Sequence, residues 1–171
     1  ACTVLTTCAA AAAAAEPMNV RTEEHALRVR VVVQGLEFPW SVAFLPDGRI
    51  LVTERGGRLR IVRDGRLDPQ PVVGVPPVAA FGQGGLLDVA LHPRLKDRLE
   101  DVQVIFQQQP KVNGGRHFGS RMVFDRQGML YVTLGERGDQ DRAQRMDEHL
   151  GKIVRLHDDG RVPQDNPFRS Q

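Results

Sequence analysis

A ten-residue pattern that occurs twice in the chain constrains its fold more than any other feature. Residues 44–53 (FLPDGRILVT) align with residues 124–133 (FDRQGMLYVT), an offset of 80 residues from position 44 to position 124. A shorter third copy, Val89–Pro93, matches Val42–Pro46 at an offset of 47, which leaves 33 residues to the last copy. The mean of about 40 is close to the roughly 40–45 residues of one propeller blade, and β-sandwiches do not repeat in this way.

Short runs of β-branched and apolar residues, separated by turn residues, predict strands from Leu27 onward. Turn signals such as Pro46-Asp47-Gly48 and Asp64-Gly65 separate these runs. The predicted strands are Leu27–Val33, Trp40–Leu45, Arg49–Glu54, Arg58–Arg63, Val102–Phe106, Arg121–Phe124 and Met129–Leu134. Together with the repeats, this pattern predicts an all-β chain, a β-propeller of four-stranded antiparallel blades.

The repeat length also predicts how the chain is divided. We expect a leader over residues 1–15, an N-terminal arm over 16–26 and a partial propeller over 27–171. At about 40 residues a blade, the chain holds about three blades and part of another, whereas a ring closes with about four to eight. Residues 94–100 have little β character, so a strand of the middle blade is expected to be missing. The sequence therefore predicts a truncated and internally shortened propeller.

The first fifteen residues differ in composition from the rest of the chain. They are small, apolar and uncharged, and Glu16-Pro17 follows them. This composition is typical of a secretory signal, cleavable after Ala15, and predicts a periplasmic or secreted protein. Both cysteines, Cys2 and Cys8, lie here, so a processed protein would contain no thiol. Lipidation of Cys8 is left open, as is an alanine-rich leader with no targeting role.

The charge and hydropathy of the sequence predict neither a nucleic-acid partner nor a membrane span. The formal net charge is +2, and the arginines are scattered among acids without a basic run interleaved with aromatic residues. We therefore expect no nucleic-acid partner. No stretch of the sequence is long and apolar enough to predict a membrane span.

The hairpin predicted around residues 121–134 brings two polar side chains to one edge of a sheet. His117 precedes its first strand and Glu136 follows its second, so the two are expected together. A carboxylate that accepts a hydrogen bond from one ring nitrogen leaves the other nitrogen free to take a proton, which is the minimum arrangement of an oriented general base. The alternative is a hairpin with an ordinary polar rim.

A glutamine among glycines is the second candidate feature. Gln83 lies in the run FGQGGLL, residues 81–87, just before a predicted strand. Glycine allows a ligand close to the backbone, and the glutamine amide offers both a donor and an acceptor. The alternative is a tight turn between strands.

Several segments in order resemble the soluble pyrroloquinoline-quinone (PQQ) sugar dehydrogenases, the aldose sugar dehydrogenase and glucose/sorbosone dehydrogenase family. The resemblance extends from about Val31 to Phe168. The segments that carry it are GLEFPWSVAFLPDGRILVTERGGRLRIV, GQGGLLDVALHP, HFGSRMVFDRQGMLYVTLGERGD and HLGKIVRLHDDGRVPQDNPF.

The resemblance implies a six-bladed propeller that oxidises aldose sugars to lactones by hydride transfer to PQQ, with calcium polarising the quinone and an external electron acceptor. It implies that His117 is the general base, that Glu136 orients it and that Gln83 contacts the cofactor. The family's calcium ligands lie in later blades, so we expect them beyond Gln171 and predict no metal ligand within this chain.

Two other function classes remain open from the residues themselves. One is a catalytically inactive propeller fragment or binding module. The other is a metal-dependent propeller hydrolase of the lactonase type, which would need an acidic ligand cluster at the channel.

Overall fold

The described part of the chain is built from antiparallel strands. A computed structural model describes residues 16–94 and 102–168, so the predicted leader and most of the segment from 94 to 100 lie outside the described residues. Within those ranges there is no α-helix, and the only helical element is a single 3-10 segment, Gln140–Gln144. The described residues include no helix that is both long and apolar enough to cross a membrane.

Residues 16–34 form one compact unit, and the described residues from Gly35 onward form another. In the first, β1 (Met18–Arg21) pairs with β2 (Ala26–Val29) across a turn in which the Thr22 hydroxyl donates to the His25 carbonyl and accepts from the His25 N–H. The strand predicted over Leu27–Val33 is therefore shorter than expected. Because β1 offers only four residues, the ladder ends at the pair of Met18 with Val29.

The second unit contains a four-stranded sheet, as predicted for a blade. Its strands are β3 (Pro39–Phe44), β4 (Ile50–Glu54), β5 (Arg58–Arg63) and β6 (Arg66–Leu67), each paired with the next in the chain. The first turn is closed by a hydrogen bond from Leu45 N to Arg49 O of 2.8 Å. Gly48 supplies the positive φ, 86°, and the Asp47 carboxylate accepts from Arg49 N.

The second sheet of this unit has three strands within the described residues. It consists of β7 (Gly119–Phe124), β8 (Leu130–Leu134) and β9 (Ile153–Leu156). Beyond β9 the chain turns at His157–Arg161, and then the Asn166 side chain donates to the Arg155 carbonyl at the outer edge of β9. The Asn166 side chain thus lies at the edge of the second sheet, at the place that strand β6 occupies in the first sheet.

The two sheets begin with the same hairpin. In β3–β4, Val42 pairs with Val52, and 80 residues later Met122 pairs with Val132. A threonine hydroxyl accepts from the backbone of the facing strand at 3.0 Å in both copies, Thr53 from Ser41 and Thr133 from Arg121. The structure therefore confirms the long repeat in its register and in its side-chain bonding.

The short third copy does not form a strand. Its neighbour Asp88 is buried and accepts from the Ser41 hydroxyl at 2.5 Å, the Met122 backbone at 2.7 Å and the Arg121 guanidinium at 3.2 Å. These side-chain bonds attach the segment before Pro93 to β3 and β7 without a ladder. The described chain from Gly35 onward thus holds two sheets and this connecting segment.

The predicted strand Val102–Phe106 is also absent. Val102 and Val104 are largely exposed, and Phe106 packs against the ring of His149 at 5.2 Å. The run has the composition of a strand, but no strand edge in the described residues pairs with it.

The core of the second unit lies on one face of the first sheet. Ala43, Leu51 and Leu59 form its buried centre, and Val89 and Leu91 pack against it. The repeats align Phe44, Leu91 and Phe124 and thereby predict equivalent core positions for them, but Phe44 is 70% exposed because it points to the face opposite Ala43. The positions that match Ala43 and Leu59 in the second sheet, Val123 and Ile153, are 60% and 69% exposed.

Candidate active site

His117 and Glu136 meet at one edge of the second sheet, as the hairpin predicts. Gly119 pairs with Leu134 at the last rung, so His117 lies just before β7 and Glu136 just after β8. The His117 Nδ1 and Glu136 Oε1 atoms are hydrogen-bonded, and Gly138 N donates to the same carboxylate oxygen at 3.1 Å. The imidazole is half-exposed and the carboxylate mostly covered.

The electrostatics of this pair define the histidine tautomer. The hydrogen bond from His117 lowers the pKa of Glu136 below its usual value, and the Gly138 backbone amide acts in the same direction, while desolvation opposes both. Glu136 is therefore an anion at neutral pH and can only accept. The Nδ1 atom of neutral His117 consequently carries the proton, and Nε2 is left with its lone pair.

The structure also brings Gln83 to this edge, although not through the contact that the sequence suggested. The Oε1 atom of Gln83 accepts from the backbone N–H of His117 at 2.9 Å, and Gln83 N donates to Gly115 O at 2.7 Å. Within the described ranges, neither the Nε2 atom of Gln83 nor that of His117 makes a hydrogen bond. A free donor and a free acceptor thus lie at the same edge.

The glycines around Gln83 have a role in chain packing. A Cβ on Gly84 would lie 2.8 Å from the Phe118 ring, and a Cβ on Gly82 or Gly85 would overlap the backbone of Gly115 or Arg55. These glycines therefore let the Gln83 loop lie directly against its neighbours. The structure thus explains them by contacts within the chain, with no need for a ligand.

Two residues at this edge have left-handed backbones that are uncommon outside glycine. His117 has φ +53° and Arg137 has φ +62°. The Arg137 guanidinium donates to the His117 carbonyl at 2.8 Å, to the Gly135 carbonyl at 3.2 Å and to Gln108 Oε1 at 2.7 Å. Its centre lies 4.1 Å from the centre of the Phe118 ring.

The sequence reading gave Arg137 no role. It lies in the Gly-Glu-Arg-Gly corner, and burial lowers its pKa while the charge of Glu136 opposes the shift. The available signal was an arginine flanked by Glu136 and a glycine at a strand end. Sequence alone does not show that its side chain turns back toward His117.

The remaining question about the site is whether its residues could bind a metal ion. Across residues 16–94 and 102–168, no group of three or more His, Cys, Asp or Glu side chains is arranged to hold a metal ion.

Comparison with known proteins gives the chain a context. A family model described as Glucose / Sorbosone dehydrogenase matches residues 36–98 and 94–171. The E. coli aldose sugar dehydrogenase YliI is 41% identical over 174 residues, covering 83% of this chain and 47% of the relative. The PQQ-bound form of aldose sugar dehydrogenase from Streptomyces coelicolor superposes with a TM-score of 0.72 at 30% identity, covering 82% of this chain and 51% of that one.

An uncharacterized Synechocystis protein, slr1608, aligns over more positions than this chain has residues. It is 40% identical over 205 residues, covering 91% of this chain and 50% of the relative. That alignment is longer than the 171 residues of this chain, so it includes positions that this chain lacks. The two family matches meet at residues 94–98, in the segment where a strand was expected to be missing.

The chain spans about half the length of the relatives that it matches. Its structural neighbours confirm the fold class: the antiparallel sheets are blades of a β-propeller.

Proposed function

The chain belongs to the glucose/sorbosone dehydrogenase family, and on that premise we propose that the protein oxidises aldose sugars to lactones by PQQ-dependent hydride transfer, with His117 as the general base. The observation that carries this proposal is the pairing of His117 Nδ1 with the Glu136 carboxylate. It leaves Nε2 unprotonated on a half-exposed ring, so the ring can take a proton from a bound hydroxyl.

The chemistry at His117 is proton removal. Oxidation of a cyclic aldose at its anomeric carbon removes a hydride from that carbon and a proton from the attached hydroxyl, and the carbon–oxygen single bond becomes the lactone carbonyl. His117 Nε2 accepts the hydroxyl proton. As negative charge builds on the oxygen, the hydride leaves more readily. Glu136 then stabilises the positive charge that the imidazole acquires.

PQQ, when bound, supplies the two-electron acceptor for the hydride. The described residues fit one part of such a site, because the amide Nε2 of Gln83 is a free donor at the edge where His117 Nε2 is a free acceptor. We propose that Gln83 contacts the cofactor through this nitrogen. An external electron acceptor would reoxidise the cofactor.

Calcium, which the family resemblance also implies, has no matching group of ligands in the described residues. We therefore assign no calcium ligand among the described residues. The proton step at His117 does not depend on one.

The decisive experiment replaces the base and keeps the backbone. His117→Asn is suited to this, because asparagine adopts positive φ more readily than most residues. After reconstitution with PQQ and calcium, sugar-dependent reduction of a dye is expected to fall roughly 10²–10⁴-fold, with little change in PQQ affinity. His25→Asn is the matched control, since His25 also has an acidic neighbour, Glu24 at 4.0 Å, but belongs to the other compact unit. Wild-type turnover in His117→Asn would refute the role of His117.

We also propose that the protein is exported. The support is the composition of residues 1–15, a small, apolar and uncharged run that resembles a secretory signal. Cell fractionation of a tagged protein, with and without these residues, is the test. Retention of both forms in the cytoplasm would contradict export.

A further inference from the structure

We propose that Arg137 is a positioning residue that fixes the orientation of His117, an inference that rests on the proposed function of His117 as a base. The backbone of His117 is held from both sides by side chains. Gln83 Oε1 accepts from its N–H at 2.9 Å, and the Arg137 guanidinium donates to its carbonyl at 2.8 Å.

The backbone conformation of His117 explains why such a clamp is needed. A φ of +53° is unfavourable for a residue with a side chain, so the conformation persists only where its surroundings hold it. Arg137 N also donates to the His117 carbonyl, at 3.4 Å. Both hydrogen bonds from Arg137 therefore hold the His117 carbonyl, which is bonded to the Cα that carries the imidazole side chain.

Arg137 is itself fixed by several contacts. Its guanidinium bonds Gly135 O and Gln108 Oε1, and it stacks on the Phe118 ring at 4.1 Å. A planar group with donors on several edges can hold two carbonyls and a ring face together, which an ammonium group cannot do. Because Glu136 and Arg137 are adjacent, the same corner carries both the carboxylate that bonds the ring and the guanidinium that bonds the backbone.

The role of Arg137 is indirect, since its Nη1 and Nη2 atoms both donate to protein oxygens. Its loss should therefore act through the His117 ring. A misplacement of about 1 Å at a catalytic group costs on the order of 100-fold in rate. For a loosened ring we expect a roughly 10- to 100-fold lower kcat, with the sugar KM little changed.

The test compares Arg137→Met with Arg145→Met. Methionine keeps an apolar stem against Phe118 and removes every donor. Arg145 is a matched control because it pairs with Asp147 at 2.9 Å in the same region and does not contact His117. The primary readout is the ring-nitrogen NMR spectrum of His117 in the protein without cofactor. We expect the Nδ1–H tautomer in the wild type and in Arg145→Met, and a mixture of tautomers in Arg137→Met.

Arg137→Lys keeps the test decisive if the methionine variant folds poorly. Lysine can donate to the His117 carbonyl but cannot bridge to Gln108 as well, so we expect partial rescue of both tautomer and kcat. An unchanged tautomer and an unchanged kcat in both variants would overturn the inference. The spectra need no sugar or PQQ, so an inactive wild type would refute the proposed function and leave the role of Arg137 to be decided by the tautomer.

Discussion

Gly119 is a residue at which one added methyl group would disturb the geometry of the site. It is the first residue of β7, two residues after His117, and its φ is +72°. A Cβ there would lie 2.6 Å from the Thr133 carbonyl oxygen and 2.8 Å from Gly135 N. Ordinary contact begins near 3.4 Å, so Gly119→Ala must move β7 away from β8 by about 0.8 Å at this rung.

Two costs follow for Gly119→Ala. The left-handed backbone costs about 1–2 kcal/mol for alanine, and overpacking costs about 1–3 kcal/mol. The free energy of unfolding should therefore fall by about 2–5 kcal/mol. A shift near 1 Å between the two strand ends also separates His117 from Glu136, and we expect a roughly 100-fold lower kcat.

Gly128→Ala is the control for Gly119→Ala. Gly128 has φ +82° at the opposite end of the same hairpin, and no atom lies within 4 Å of its Cβ position. The free energy of unfolding of Gly128→Ala should fall only by the cost of the left-handed backbone, about 1–2 kcal/mol, and its kcat should equal that of the wild type. Chemical denaturation and PQQ-dependent sugar oxidation measure the two effects. Equal losses of stability in the two variants, with equal kcat, would refute the reasoning.

Four further predictions concern the site and the exposed sheet face. Glu136→Gln should lower kcat less than His117→Asn does, because an amide oxygen still accepts from the ring but does not balance imidazolium charge; equal losses would contradict this. The pKa of Glu136 is lowered, so its pairing with His117 should be fully present above the ordinary glutamate pKa of 4.5. The pairing should weaken as the pH falls through the lower pKa of Glu136 in the folded protein. NMR titration should detect this dependence in the wild type and not in Glu136→Gln. Gln83→Ala should raise the PQQ concentration needed for half-maximal activity, measured by titration, and an unchanged requirement would remove Gln83 from the cofactor site. The 171-residue chain should self-associate through the sheet face that exposes Val123 and Ile153. Replacing both residues with threonine should reduce the amount of oligomer measured by light scattering. A monomeric wild type would contradict this prediction.

The sequence predicted the features that depend on local pattern. The hairpin around residues 121–134 followed from turn residues and from alternation, and its register carried His117 and Glu136 to the same edge. The 80-residue repeat predicted a second hairpin of equal geometry. These features depend on short-range chemistry, which a single sequence records directly.

The errors arose where distant residues decide the outcome. Phe44 and Phe124 occupy the same place in the repeat, yet the ring of Phe124 packs against His92 at 5.1 Å whereas Phe44 is exposed. Val102–Phe106 has strand composition without a partner strand. Arg137 could not be assigned from sequence, because its role depends on a side-chain direction that is set by packing.

The left-handed backbone of His117 limits which mutations a lineage could tolerate at this position. At φ +53°, a β-branched residue would be strongly disfavoured, whereas asparagine, aspartate and glycine fit the conformation. Of the residues that adopt it readily, only histidine carries a nitrogen base that titrates near neutral pH. A descendant that abandons catalysis can therefore drift to asparagine or glycine without losing the blade, and such a substitution in a related sequence would identify a propeller that has kept its architecture and lost its base.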